Sequence, residues 1–311
     1  MGSMLEMKLI LFFQSPSSAR RGMFCARIPA TVQSAGMAKT QRIAVGAVAY
    51  DPKVVTIWEM INDFFRARGI PSDYVLFSNY EAQVEALLSR SIDIAWNTNL
   101  AYVRVYRRSG GRCKVLAMRD TDVEFTSILI AGTNTGITSI WDLRGKRLAF
   151  GSRDSGQAAI LPEYFLGING IDVQKDVRLT RFDLDVGKHG DTGTSEVAVL
   201  EAVTKGEADA GAVGDTYWAR TLAAGGVDRN KVKPFWTSSP YCHCNFTVLE
   251  ERYGKDLEEW TEALLQMDYN NPAHRTIMDM EGLKRWVRPQ LAGYKPLFEA
   301  VEAVGYFNAS A

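Results

Sequence analysis

EALLSRSIDIA at residues 85–95 and EAVTKGEADAG at residues 201–211 share one layout, and the reading of that echo decides the fold. In each, a helix end runs into a polar turn, and an aspartate, Asp93 or Asp209, then enters a small-residue strand. Aspartate is common in such turns because its carboxylate bonds nearby backbone N–H groups, so two unrelated helix-to-strand turns are the competing account. The residues next in the chain favour a repeat. Asn97-Thr98-Asn99-Leu100-Ala101-Tyr102 comes after one copy and Gly214-Asp215-Thr216-Tyr217-Trp218 after the other, a polar cluster with aromatics in both cases. Two lobes of similar construction are expected.

Working back from the first copy, RIAVGAVA (42–49) reads as a buried strand, and Asp51-Pro52 opens a helix through Arg68 with Ile57, Ile61, Phe64 and Phe65 on its apolar stripe. Gly69 and Pro71 stop it. Residues 74–77 read as a second strand, 80–89 as a second helix and 92–96 as a third strand. This βαβαβ alternation implies an α/β fold with a mainly parallel sheet flanked by helices. Working forward, SILIA (127–131) leads to Asn134-Thr135-Gly136, a crossing between lobes; RLAFG (147–151) opens the second lobe; FTVL (246–249) is the return strand. A helical tail then covers 255–267, 278–287 and 296–304. The expected division is a leader over 1–40, a discontinuous first lobe over 41–130 plus 246–311, and a second lobe over 131–245.

Composition bounds the function. The 311 residues carry 36 Lys plus Arg against 36 Asp plus Glu, so no overall basic field exists to hold nucleic acid or anionic lipid. No stretch approaches the ~20 consecutive apolar residues a membrane-spanning helix needs. Cys25, Cys113, Cys242 and Cys244 are too few and too scattered for a disulfide framework. MKLILFF (7–13) is short for a secretory signal, and Arg20, Arg21 and Arg27 suit a transit peptide equally well. Upstream sequence ahead of a start at Met37 is the third reading. The address is therefore open between periplasm or cell surface, organelle and cytoplasm.

The blocks EALL…IDIAW…LAYV (85–103), DLRGKRLAFGS (142–152) with Ser155 beyond it, and residues 201–215 together resemble the phosphate/phosphonate-type periplasmic solute-binding proteins of ABC transporters, which have the type 2 periplasmic binding fold. The resemblance runs from about Arg42 to Tyr306. It implies two lobes that close by a hinge on a small anionic or polar ligand, with an ABC permease as partner if the chain is exported and a monomer or dimer in solution. It places the anion at a helix start in the second lobe, here Ser152, Ser155, Gly156 and Gln157. The physics agrees, since first-turn amides lack intrahelical partners and carry the positive end of the helix dipole. Plain capping by Asp154 or Ser155 is the alternative. The opposite wall maps to Tyr50, Asn97, Thr98 and Tyr102, and Asp215 and Tyr217 match the acidic and aromatic positions of the second lobe. Phe-Gly-Pro is common in the family where this chain has Asn97-Thr98-Asn99, which shifts the expected ligand from bare phosphate toward a polar organic molecule.

Two histidines stand in unusual segments, Lys188-His189-Gly190-Asp191 and Tyr241-Cys242-His243-Cys244-Asn245. His189 is a candidate for ligand recognition. In an extended chain Cys242 and Cys244 point to one face and His243 to the other, so the trio ligates one metal only around a bend. Cys242, His243, Cys244 and His189 are the candidate donors for iron or zinc; otherwise no cofactor is expected, since nothing matches a dinucleotide fingerprint or a P-loop. The same residues open a second function class, a cytosolic enzyme on this fold, because the Cys-His-Cys stretch loosely looks like the iron-binding region of the fungal pyrimidine synthase of thiamin biosynthesis. On that reading His189, Lys188, Asp191 and His243 supply the acid, base or ligand chemistry.

Overall fold

A computed structural model describes residues 42–308; the expected leader lies outside them. The chain runs β1 (Ile43–Val48), α1 (Lys53–Arg66), β2 (Ser72–Phe77), α2 (Tyr80–Leu88), β3 (Ile94–Asn97), α3 (Asn99–Arg108), β4 (Cys113–Val115) and β5 (Met118–Arg119). It continues through β6 (Ser127–Gly132), β7 (Arg147–Phe150), α4 (Leu161–Ile168), β8 (Arg178–Arg181), α5 (Thr194–Thr204), β9 (Ala210–Gly214), α6 (Asp215–Ala223) and β10 (Val232–Thr237). β11 (Asn245–Leu249), α7 (Lys255–Leu265), α8 (Pro272–Glu281), β12 (Trp286–Val287) and α9 (Lys295–Ala303) complete it.

Local chemistry explains the elements that carry the site. α1 buries Val54, Ile57, Trp58, Ile61, Phe64 and Phe65, a three-to-four spacing that lays one stripe on the first sheet. Fully burying a side chain of this size contributes about 1.5–3 kcal/mol. α2 starts at Asn79, whose Oδ1 accepts from the Ala82 N–H at 2.8 Å, and α3 starts at Thr98, whose hydroxyl accepts from the Ala101 N–H at 3.2 Å. α4 is entered through a wide turn over Gly156–Ile160, capped by the Ser155 hydroxyl.

Two five-stranded sheets result, in the orders β2-β1-β3-β11-β4 and β10-β6-β9-β7-β8. Each has a core of three parallel strands, centred on β1 in one sheet and β7 in the other, and one antiparallel strand next to it that arrives from the other lobe: β11 on β3, and β6 on β9. The repeat is therefore real and has a mechanical role. Asp93 Oδ2 accepts from the Ala44 N–H at 2.8 Å, and Asp209 Oδ2 accepts from the Arg147 N–H at 2.8 Å. Each aspartate pins the start of its lobe's third strand to the first.

The division at residue 130 needs correction. β6 sits inside the second sheet, between β9 and β10, so the chain crosses before Ser127 rather than after it. SILIA looks like an ordinary lobe strand from sequence, and only its antiparallel partners reveal which lobe owns it. The tail also does more than complete the first lobe. Leu297, Ala300 and Val301 of α9 share one apolar cluster with Leu100, Tyr102 and Val103 of α3 and with Ile160, Leu161 and Phe165 around α4. α9 thus packs against both lobes on one side of the crossings.

Candidate functional site

The cleft follows from the topology, because the parallel strands of both sheets end toward each other and α/β ligand sites form outside carboxyl ends of strands. A cavity of about 290 Å³ lies there, with Tyr50, Trp96, Arg119, Asp122 and His243 on one side and Gln157, Asp191, Glu196, Tyr217 and Arg220 on the other. Several contacts draw the lobes shut around it. Thr98 Oγ1 is 2.6 Å from His189 Nδ1, Lys188 Nζ donates to the Ala49 carbonyl at 2.8 Å, and the Tyr80 hydroxyl donates to Asp191. The His189 ring stacks on Tyr80 with centroids 4.7 Å apart.

Of the expected site residues, Tyr50, Gln157, Tyr217, Asp191, His243 and Cys244 line this cavity. Asn97 is fully buried at the end of β3; its Oδ1 accepts from Gln83 Nε2 at 2.9 Å, while its Nδ2 has no partner. Ser152 is likewise buried with an unpartnered hydroxyl. Ser155 acts as a plain cap, accepting from the Ala158 N–H at 3.1 Å. Gly156 permits a close approach between lobes: a Cβ there would stand 2.7 Å from Asn99 Oδ1.

Four expectations fail on placement. Tyr102 points away from the cleft into an aromatic cluster, 4.6 Å from the Tyr294 ring, because one helical turn beyond the strand end already faces α9. Asp215 opens α6 and spends one oxygen on the Thr126 N–H and hydroxyl, at 2.8 and 2.9 Å, bracing the crossing. Cys242 donates to the Gln290 carbonyl at 3.2 Å and packs in a different apolar cluster from Cys244. His189 bonds Thr98 and faces Glu81 at 3.4 Å, holding the Glu81 carboxyl down at about 2, so it joins no metal set with His243.

The cavity also gathers charged groups that no motif announces. Arg119 donates to both oxygens of Asp122, at 2.6 and 3.0 Å, and reaches Glu281 at 3.4 Å. Burial alone would raise Asp122, but the Arg119 guanidinium and His243 hold it at about 2. Burial raises the carboxyls of Asp191 and Glu281, and pushes Glu196 up to about 8 despite the Gly214 N–H that donates to it at 2.7 Å. Burial also raises the Tyr50 phenol and the Cys244 thiol, and nearby carboxylates add to both shifts.

Residues 45–294 match the family described as ABC transporter, phosphonate, periplasmic substrate-binding protein. The chain belongs to that family. It is 28% identical over 236 residues to a probable ABC transporter phosphite binding protein, PhnD1, of Prochlorococcus marinus, covering 73% of this chain and 76% of that one. The structure of PhnD1 in complex with methylphosphonate superposes with a TM-score of 0.67 at 23% identity, over 85% of this chain and 98% of that chain. A binding protein component of an ABC phosphonate transporter from Pseudomonas aeruginosa gives 0.58 at 16% identity, over 80% and 82%. At these identities the structures speak for the two-lobed fold. Family membership supports solute capture over the enzyme alternative, and it implies a small-molecule ligand and a permease partner. Among the described residues no helix is long and apolar enough to cross a membrane.

Proposed function

We propose that this protein is the solute receptor of an ABC importer and closes on a small phosphonate-type oxyanion that carries an amine or other donor at its far end. One observation supports this most strongly: buried donors without protein partners stand beyond the strand ends where the two lobes meet. They are Asn97 Nδ2 and Asn99 Nδ2 at the β3–α3 junction, Ser152 Oγ after β7, and Ser195 Oγ at the start of α5. Asn99 abuts Gly156, and a Cβ on Gly151 would lie 3.1 Å from Ser195 Oγ, so both stand beside the 151–156 turn that also holds Ser152. Buried polar groups are rarely left unpaired, and hydroxyl and amide donors facing an oxyanion form the stronger, charge-assisted kind of hydrogen bond.

The adjoining cavity has the opposite character. Its acidic side chains, Asp122, Asp191, Glu196 and Glu281 with Asp51 and Asp279, outnumber Lys53, Arg119 and Arg220, which suits a cationic group. A bipolar ligand such as an aminoalkylphosphonate satisfies both ends. The reading includes export to the periplasm, where the family works.

Thermal unfolding with methylphosphonate, 2-aminoethylphosphonate, phosphite, phosphate and alkanesulfonates tests it. A ligand at about 100 times its Kd stabilises the fold by about 2.7 kcal/mol. 2-Aminoethylphosphonate is expected to give the largest rise in Tm. A set of phosphonates that leaves Tm unmoved would overturn the proposal.

A further inference from the structure

The two stretches of chain that cross between lobes are bonded to each other. The His243 N–H donates to the Asp122 carbonyl at 2.8 Å, and Phe125 and Tyr241 exchange a pair of backbone bonds at 2.9 Å. This pairing brings three side chains of different chemistry together. His243 Nδ1 is 3.0 Å from Cys244 Sγ and 3.5 Å from Asp122 Oδ1, and the three atoms all lie within 4.8 Å of one another. Ligand atoms around a tetrahedral zinc, bound at about 2.0–2.3 Å, stand about 3.3–3.8 Å apart. We propose that Asp122, His243 and Cys244 form a site for one divalent transition metal, zinc or iron(II), at the hinge.

The donor set fits that class. Thiolate, imidazole and carboxylate together favour a borderline-soft cation over magnesium or calcium, which take oxygen ligands. All three residues are buried, so the metal would be screened from competing water. Asp122 retains acceptor capacity beside its Arg119 bonds, because an ionised carboxylate has about four lone-pair positions. His243 also has an orienting partner, since its Nε2 is 3.3 Å from Gln157 Oε1 and its ring stacks on Phe125 at 4.5 Å. Such outer contacts fix the ring of a metal-bound histidine.

Three protein donors leave one coordination position toward the cavity, the arrangement of sites that also accept an external ligand. The set differs from the one expected from sequence. Cys242 and His189 are excluded by position, and Asp122, more than a hundred residues upstream of the Cys-His-Cys stretch, replaces them.

The test uses the full chain stripped of metal by a chelator and titrated with Co²⁺ alone, in the absence of any phosphonate. One equivalent should bind with a thiolate-to-cobalt absorption band, and Zn²⁺ should displace it. Cys244→Ser should abolish the band, and Asp122→Asn should weaken binding by about 10-fold or more. Should Cys244→Ser fail to fold, a variant with Cys25, Cys113 and Cys242 all changed to serine leaves Cys244 as the sole thiol, and its band must persist. Absence of the band from wild type, or its survival in Cys244→Ser, overturns the site. Phosphonate binding is measured separately, so either proposal fails without the other. A wild type that binds 2-aminoethylphosphonate but no cobalt leaves the receptor reading standing and overturns the metal.

Discussion

Thr98 Oγ1 lies 2.6 Å from His189 Nδ1, a bond that joins the cap of a first-lobe helix to a second-lobe loop. His189 sits in the left-handed region at φ 54°, between Gly187 and Gly190 at 90° and 84°, so the loop holds an uncommon conformation in order to reach across. The bond should therefore contribute to closure. Thr98 also caps α3, and changing it would mix two effects. His189→Phe keeps the ring on Tyr80 and removes the bond to Thr98 together with the contact to Glu81. A hydrogen bond of this kind is worth about 0.5–1.5 kcal/mol, so methylphosphonate affinity should fall by about 2- to 13-fold by titration calorimetry. Unaltered affinity would exclude the bond from closure.

The approach of Gly156 to Asn99 gives a steric version of the same test. A methyl group at 156 would stand 2.7 Å from Asn99 Oδ1 and 3.0 Å from its Nδ2, contacts made between the two lobes. Gly156→Ala should leave folding of each lobe intact and resist closure by about 1–3 kcal/mol, the usual range for overpacking. The penalty should shrink in an Asn99→Ala background, because the obstructing amide is gone. A double-mutant cycle on ligand affinity reads this directly; strictly additive effects would mean that the two residues do not meet in the bound state.

Asp93 and Asp209 should behave alike although they lie in different lobes. Each accepts from a first-strand N–H and pairs with an arginine: Asp93 with Arg252 at 2.5 Å and Asp209 with Arg147 at 2.6 Å. Asp→Asn at either position weakens a charge-assisted bond to a partly buried backbone donor, which costs about 1–3 kcal/mol. Urea unfolding should show a lower midpoint for both, with little change in slope. A variant at one position that unfolds as wild type would break the equivalence.

That pair is legible in the sequence because the whole device is local: helix end, turn and strand start fall within eleven residues, and the same order recurs. The two-lobed build and its cleft follow from it. The cavity floor is not legible for the opposite reason. Arg119, Asp122, Glu196 and Glu281 come from separate segments, and a lone acid on a helix has the same appearance whether it faces water or a cleft. Ser155 shows a third limit. The same hydroxyl at a helix start can serve an anion or its own backbone, and only the 3.1 Å contact to the Ala158 N–H shows which bond it makes. Tyr102 and Asp215 escape a reading by sequence position because one residue of offset at a helix start changes which neighbour a side chain meets.

Glu196 offers the sharpest pH dependence. It is 3% exposed in the first turn of α5, and burial moves its carboxyl from 4.5 to about 8. The folded state then holds a proton that the unfolded chain has released between about pH 4.5 and 8, so stability falls as pH rises through that window. The stabilisation is complete below about pH 4.5 and lost above about pH 8, and amounts to at most about 5 kcal/mol. Glu196→Gln keeps an acceptor for the Gly214 N–H and removes the titration. Its Tm should match wild type near pH 5 and exceed it near pH 8.5, and coincident profiles would show that the carboxyl is already ionised. The same proton reports on the ligand. An ammonium beside Glu196 favours the carboxylate, so near pH 7 2-aminoethylphosphonate should release more proton on binding wild type than on binding Glu196→Gln, whereas methylphosphonate, which has no amine, should give the same value with both. Calorimetry in buffers of different ionisation enthalpy measures the release, and a value for 2-aminoethylphosphonate that Glu196→Gln leaves unchanged would separate the amine from Glu196.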